Sequence, residues 1–479
     1  MGPLFAQAQV VVRGERTVTQ IIPSNEIAFH PLSFQDEAGR LFKWRGELYR
    51  GIRAPAAPFL ADFLQGDAGP RLVADGLLID TEVTQFALEG FKMALRHRLL
   101  PFVSYPFEWC AGMFKAASLT IINLAISLSR HDMMLKDAHP WNVLFDGCRP
   151  VWIDLTSIIP AKGSREWPAE SEFYDNCVYP LILMSQGREK LARLLIAEYE
   201  IVHPADLEIL GVSRSLSIDV ATALLSRLPE RQRRVFRKTL RPLRSLFRKK
   251  NEPSTAVPLL QRLEQIKVEV ENISVPFWEP QESNRSFEPD RGWNAKQLSL
   301  HKILSEKRPH TVLDIASGPG WFSELAAHFS ENVAAFGTDT AAVARLFASA
   351  RAHQLPILPL LMDFTRPSPA RGLASHSHIA ATERFPSEMV LMLGFLHELV
   401  FRYRRLGLNE ICDGLSLFSK RWVVVEFIPG DDPEVGPLWS DWFAGYTLEN
   451  FKNALGRHFS KIEVLPSHPH HRALLLCER

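Results

Sequence analysis

"HTVLDIASGPGWFSELAA" occupies residues 310–327. Thr311 to Ile315 is a short apolar run of strand length. Gly318 and Gly320 stand in the turn that follows, where glycine lets the backbone take left-handed angles and approach a ligand closely. "WFSELAAHF" then opens a helix whose first N–H groups have no intrahelical partner and can face a carboxylate or phosphate. The same rhythm continues downstream. Apolar strands are expected at 311–315, 333–338, 357–362, 389–393, 422–427, about 461–465 and 473–477, with helical stretches alternating among them. Strand–helix alternation predicts an α/β fold for 291–479, a Rossmann-like doubly wound sheet.

Three acids fall at strand ends. Asp314 closes the first strand, where a carboxylate can take an ammonium group. Asp339 follows the second in "VAAFGTD", where an acid can accept both hydroxyls of a ribose. Asp363, beside Phe364 in "LPLLMDF", follows the third and can bind an adenine amino group while the ring packs on Phe364. Two cofactors use such a turn. A dinucleotide fingerprint requires G-x-G-x-x-G, and here the third position is Ser323. Asp314 has no part in that fingerprint. It does suit S-adenosylmethionine, whose methionine tail carries an ammonium and a carboxylate.

In this order and spacing the motifs resemble those of class I S-adenosylmethionine-dependent methyltransferases over about 290–479. The resemblance implies that Asp314, Ala316, Ser317, Gly318, Gly320, Asp339, Thr340, Asp363, Phe364 and Leu393 bind the cofactor. A fourth strand in "EMVLMLGFLHELV" (388–400) leads to His397 and Glu398. Histidine is the natural base near neutral pH, and Glu398 could orient it or a substrate amine. A histidine packed on the following helix is the other reading of His397. Glu426, Asp431 and Asp432, in "VVVEFIPGDDPE", are read as loop caps rather than catalysts.

The N-terminal part carries a second signature. "LKDAHPWNVLFDGCRPVWIDLTSI" (135–158) places Asp137, Asn142 and Asp154 in the order of a kinase catalytic loop, with the acceptor-orienting aspartate first and two metal-binding residues after it. Arg50 in "LYRGI" stands where the phosphate-binding lysine is expected, no glycine-rich loop precedes it, and "DLT" replaces "DFG". Asp137 could instead accept backbone N–H bonds that shape the loop, and Asn142 could tie it to the strand at 151–154. Local patterns predict a hairpin over 38–53 turning at Arg45–Gly46, helices at 58–66, 81–97 and about 111–131, and a charged helix over 259–271.

"LYRGI", "LKDAHPWNVLF", "RPVWIDLTSI", "LPLLMDFTRPSPARGL", "VVVEFIPGDDP" and "YTLENFKNAL" together resemble the NoeA-like methyltransferases, named for a nodulation protein. That resemblance implies a kinase-like α+β region over 1–250 (small lobe about 1–105, helical lobe about 106–250). It implies a linker with a lead-in arm over 251–290 and the methyltransferase domain over 291–479. The reaction implied is methyl transfer to a small-molecule or glycan acceptor, with the kinase-like region accessory or acceptor-presenting. A bifunctional kinase–methyltransferase and a non-enzymatic cofactor-binding scaffold are the alternatives.

Composition is compatible with all three. The 479 residues are 46% hydrophobic and 23% charged, ordinary for a globular chain of two or more domains. No run of eighteen consecutive apolar residues is present, so no transmembrane segment is expected, and the first residues do not read as a signal peptide. The five scattered cysteines form no CxxC pair, which predicts reduced thiols, a cytoplasmic setting and no metal site. Nucleic acid is not an expected partner. Residues 231–250 hold ten basic residues and no acidic ones. Such a segment can contact an anionic surface or form the solvated face of a helix.

Overall fold

The structure, a computed structural model, describes residues 20–211, 257–275, 287–289, 291–375, 377–402 and 406–479. The basic stretch 231–250 lies outside them. Two compact units emerge. One draws on Met1–Leu100, Lys115–Leu144 and Pro150–Ser274, the other on Pro101–Phe114, Phe145–Arg149 and Val275–Arg479.

The second unit is built on seven strands: β1 (Thr311–Ile315), β2 (Asn332–Gly337), β3 (Ile357–Leu361), β4 (Ser387–Met392), β5 (Ser419–Phe427), β6 (Lys461–Pro466) and β7 (Ala473–Glu478). All seven fall where the apolar runs predict them. Their order is β3-β2-β1-β4-β5-β7-β6. β1 to β5 run parallel, and β7 is antiparallel to both β5 and β6. β3 is buried along its whole length, as expected of a parallel strand covered on both faces. Edge strand β6 instead exposes Lys461 and Glu463, charges that deter edge pairing. Helices α1 (Ala295–Lys307), α2 (Trp321–Ala327), α3 (Thr340–His353), α4 (Leu408–Phe418) and α5 (Leu448–Leu455) accompany the sheet.

This strand order is that of an open, doubly wound α/β sheet with one antiparallel strand inserted near its edge. Strands progress outward from β1 through β2 to β3, then return across β1 to β4. The switch point therefore lies between β1 and β4, and open α/β sheets bind ligands there, beyond the carboxyl ends of the strands.

Segments far upstream complete this unit. Phe102 stacks on Phe385 at 5.7 Å between ring centroids, and Phe145 meets Phe347 edge-on at 6.1 Å. Glu108 and Arg384, each with a side chain 1% exposed, form a bidentate ion pair with N–O distances of 2.5 and 3.0 Å.

The first unit has a five-stranded antiparallel sheet in the order Ala28–Phe29, Gly39–Trp44, Glu47–Ile52, Met93–His97, Thr81–Val83. The hairpin turns at Arg45 (φ 51°) and Gly46 (φ 83°), the two positive angles of a type I′ turn. The helix expected over 81–97 is not present. Thr81–Val83, Phe86–Leu88 and Met93–His97 are strands, and Gly90 turns at φ 80°. Phe91, Met93 and Leu95 recur every second residue, and pairing with Glu47–Ile52 favours that period over the helical one. A helix of about two turns, Ala68–Ala74, is present where none was expected.

Helix Ala111–Ser129 is long and apolar enough by composition to cross a membrane, but 72% of its apolar window is buried within the protein, which marks it as a core helix. All five cysteines are buried.

Candidate active site

The glycine turn after β1 is held by backbone strain and close packing. Ala316, Gly318 and Gly320 have φ of 60°, 53° and 86°. A β-carbon at Gly320 would run into Leu346, so both the angle and the space require glycine. Ala316 takes a left-handed angle that residues other than glycine adopt rarely, and such strain gathers at functional sites. Ser317 N–H donates to Phe336 O at 2.9 Å, tying the turn to β2. Its Oγ is buried and has no hydrogen-bond partner among the described residues. Phe287 of the lead-in arm and Trp293 just after it pack against Trp321, at 5.5 and 5.2 Å, on the helix that leaves this turn.

Asp314 is 2% exposed, and burial pushes its carboxyl up to about 7. Ser323 Oγ donates to its Oδ2 at 2.5 Å and Lys296 adds a favourable charge, both opposing that rise. Ser323, the residue that spoils the dinucleotide fingerprint, thus serves the acid that the fingerprint lacks. Asp339 is exposed at the start of α3, where its Oδ1 caps the helix by accepting from Ala342 N at 2.9 Å. Its other oxygen has no protein donor among the described residues. Thr340 begins the same helix.

Asp363 is more heavily engaged than its spacing suggested. Its Oδ1 accepts from both Thr365 N and Thr365 Oγ1 at 2.8 Å, and its Oδ2 from Arg366 Nε at 3.1 Å. Burial raises its carboxyl, and these donors together outweigh that and hold it below the usual range. Only Oδ2, shared with an exposed arginine, is open to exchange. Phe364 is buried and packs on Phe418 at 6.1 Å.

Leu393 is buried at the end of β4, and Gly394 turns at φ 65°. His397 is 2% exposed. Its Nε2 lies 3.3 Å from Glu398 Oε1 and 3.3 Å from Glu434 Oε2. A carboxylate only accepts, so Nε2 carries the proton and Nδ1 is left as the basic nitrogen. Nδ1 is buried with no partner among the described residues. Burial lowers the histidine's pKa more than the two carboxylates raise it, so it is neutral at pH 7. Glu398 also binds Arg402 at 2.9 Å.

The rim beyond β5 is more than a set of loop caps. Asp432 is fully buried and accepts from His471 Nε2 at 2.6 Å and Arg472 Nε at 2.7 Å, while Arg472 Nη2 also holds Glu434 at 2.9 Å. Arg472 and its neighbours therefore fix the carboxylate that faces His397. Glu426 is fully buried and paired with Lys296. Sequence reading missed Lys296, Glu434 and Arg472, whose roles come from contacts across many residues.

In the first unit, Arg50 does meet Asp154. Its Nη1 lies 3.1 Å from Asp154 Oδ1, 2.8 Å from Asp36 Oδ2 and 2.6 Å from Thr156 Oγ1. Asn142 ties the loop to the following strand through its backbone, accepting from Ile153 N at 2.9 Å. Asp137 does not shape the loop as expected. Its half-exposed carboxylate lies 4.0 Å from Lys136, while Glu172 Oε2 accepts from Ala138 N at 2.6 Å and Ser157 Oγ from Asp137 N at 3.2 Å.

No family model matches the chain. Over 470 residues it is 26% identical to the nodulation protein NoeA of Rhizobium meliloti (strain 1021), covering 91% of this chain and 92% of that protein. The chain is similar to NoeA through both units. The resemblance to NoeA-like proteins drawn from the sequence motifs is thereby borne out. Among solved structures, the N-methyltransferase NodS from Bradyrhizobium japonicum WM9 is 13% identical with a TM-score of 0.28, covering 38% of this chain and 93% of NodS. Magnesium protoporphyrin IX methyltransferase from Synechocystis PCC 6803 with bound SAM is 13% identical at 0.26, over 41% of this chain and 88% of its own. The bifunctional kinase-methyltransferase WbdD is 13% identical at 0.30, over 42% and 44%. At these scores the fold of this chain rests on its own strand order.

Proposed function

We propose that this chain is an S-adenosylmethionine-dependent methyltransferase acting on a small-molecule or glycan acceptor. The observation that carries the reading is the β3-β2-β1-β4-β5-β7-β6 sheet with a glycine turn and an acid at the end of β1. The orphaned Ser317 Oγ and the close approach enforced at Gly320 fit a polar ligand at that turn. When bound, the cofactor supplies an electrophilic methyl group on sulfur. Asp314 would hold its ammonium, Asp339 its ribose hydroxyls, and Phe364 with Asp363 its adenine. His397 Nδ1 would accept a proton from the acceptor, with Glu434 and Glu398 steadying Nε2. The glycan or small-molecule class of acceptor rests on the likeness to NoeA-like proteins alone.

Calorimetry with adenosylhomocysteine tests the cofactor assignment. A charged hydrogen bond is worth about 1.5–3 kcal/mol, so Asp339→Ala is expected to weaken binding roughly tenfold to a hundredfold. Asp339→Asn, which keeps the helix cap, separates ribose recognition from helix stability. Affinity should also fall as pH drops below about 7. There Asp314 is protonated, and a ligand ammonium favours the ionised form, so binding must release the proton. Unchanged affinity in both tests would overturn the assignment.

The kinase-like region is, in this reading, an accessory lobe. Its support is Arg50, which already occupies Asp154, the carboxylate a metal would need. Arginine's planar fork also differs from a lysine's compact charge. With magnesium and labelled ATP the full chain is expected to show no phosphate transfer or release above background. Turnover that vanishes in Asp154→Asn would instead favour the bifunctional reading.

A further inference from the structure

Lys296 stands where local rules argue against it. Helix α1 is opened by a capping box: Asn294 Oδ1 accepts from Gln297 N at 3.0 Å, and Gln297 Oε1 from Asn294 N at 2.9 Å. Lys296 is the second residue of that helix, where the dipole disfavours a cation. A residue that breaks a local preference is expected at a functional site.

Its surroundings fix where the ammonium points. Glu426, near the end of β5, is fully buried, and both its oxygens are used. Oε2 accepts from Lys296 Nζ at 2.6 Å and Oε1 from Ser467 Oγ at 2.6 Å. Glu426 also lies against the turn after β4, for a β-carbon at Gly394 would stand 3.8 Å from Oε2. Phe322, on the helix leaving the glycine turn, presents its ring 5.1 Å from Nζ. The ammonium is thus held at the carboxyl ends of the central strands, beside the β1/β4 switch point. A lysine has three N–H donors, and Glu426 is its one hydrogen-bond partner among the described residues. Its side chain is 14% exposed, so two donors remain available at a site that is not sealed. Asp314, close enough to feel this charge, keeps one oxygen without a protein donor among the described residues. A buried ion pair is seldom a net source of stability, so Lys296–Glu426 calls for another reason to be there.

We propose that Lys296 binds the carboxylate of the cofactor's amino-acid tail while Asp314 takes its ammonium, so that the two together recognise a zwitterionic α-amino acid. Glu426 and Ser467 aim the lysine and do not touch the ligand. This rests on the cofactor reading above and adds to it the means by which the tail is told from the nucleoside.

The test compares two probes by calorimetry on the full chain. Adenosylhomocysteine carries the tail, and methylthioadenosine has the same nucleoside thioether without it. Lys296→Met is expected to weaken adenosylhomocysteine roughly tenfold to a hundredfold, as for a charged hydrogen bond, and to leave methylthioadenosine unchanged. The double variant Lys296→Met with Glu426→Gln removes both charges, so the fold is kept free of an unpaired buried carboxylate, and it should show the same split. Unchanged adenosylhomocysteine affinity, or equal loss for both probes in the double variant, overturns the role of Lys296 while leaving the cofactor reading intact. A wild-type chain that binds neither probe overturns both.

Discussion

Glu108→Ala should destabilise the second unit by about 3–5 kcal/mol, the cost of breaking a buried ion pair from one side. Among the described residues Glu108 is the carboxylate that pairs with Arg384. Its Nη1 also donates to Val103 O at 2.6 Å and its Nε to Ile379 O at 2.8 Å, and its guanidinium lies over the Tyr105 ring at 4.2 Å. These contacts satisfy its donors and leave its charge to Glu108, which in turn accepts from Tyr105 N at 2.8 Å. Urea denaturation followed by tryptophan fluorescence measures the loss, and a change below about 1 kcal/mol would mean that water replaces the carboxylate. The double variant Glu108→Gln with Arg384→Met should recover part of it, since well-packed neutral residues often match a buried pair. Residues 291–479 expressed alone would lose Glu108 together with Val103 and Tyr105, which cover Arg384, and would uncover the Phe385 face on which Phe102 stacks. A stable, soluble fragment of that span would contradict the importance given to 101–114.

That dependence also shows what a sequence can and cannot reveal. The strands of the second sheet were legible because most are local apolar runs, with Lys461–Pro466 an alternating one at the edge. Ile357–Leu361 is buried at every position and reads as such. The glycine turn was legible because left-handed angles at Gly318 and Gly320 restrict the residue type. Arg384 and Glu108, 276 residues apart, leave no periodic trace. Neither does Glu434 beside His397, nor Lys296 with Glu426, 130 residues away. The false helix over 81–97 has the same cause. Residues 91–97 fit two periods, and a hairpin forty residues upstream chose between them. Asp363 was half legible: its place at the end of β3 was read correctly, but the turn made by Thr365 and Arg366, which occupies its oxygens, was not.

His397→Ala should lower turnover about 10²-fold or more while adenosylhomocysteine affinity holds, if Nδ1 is the general base. Two effects oppose each other here. Burial holds the imidazole's pKa below its ordinary value, which favours the neutral form that can accept a proton. The same burial hides Nδ1, so the acceptor must reach it through the turn after β4 or displace what covers it. Proton transfer wins only if the acceptor hydroxyl or amine comes within hydrogen-bond reach of that nitrogen. The other role open to His397 is to join Glu398 and Glu434 through Nε2, holding the rim that Arg472 and Asp432 build. His397→Gln distinguishes them. Its amide can donate to Glu434 as Nε2 does, but it cannot take up a proton near neutral pH. Under the base role Gln is as slow as Ala, and the wild-type activity declines on the acid side below pH 6.5, since the pKa lies under that ordinary value. Under the positioning role Gln restores turnover and thermal stability together, and the acid limb no longer reports this residue.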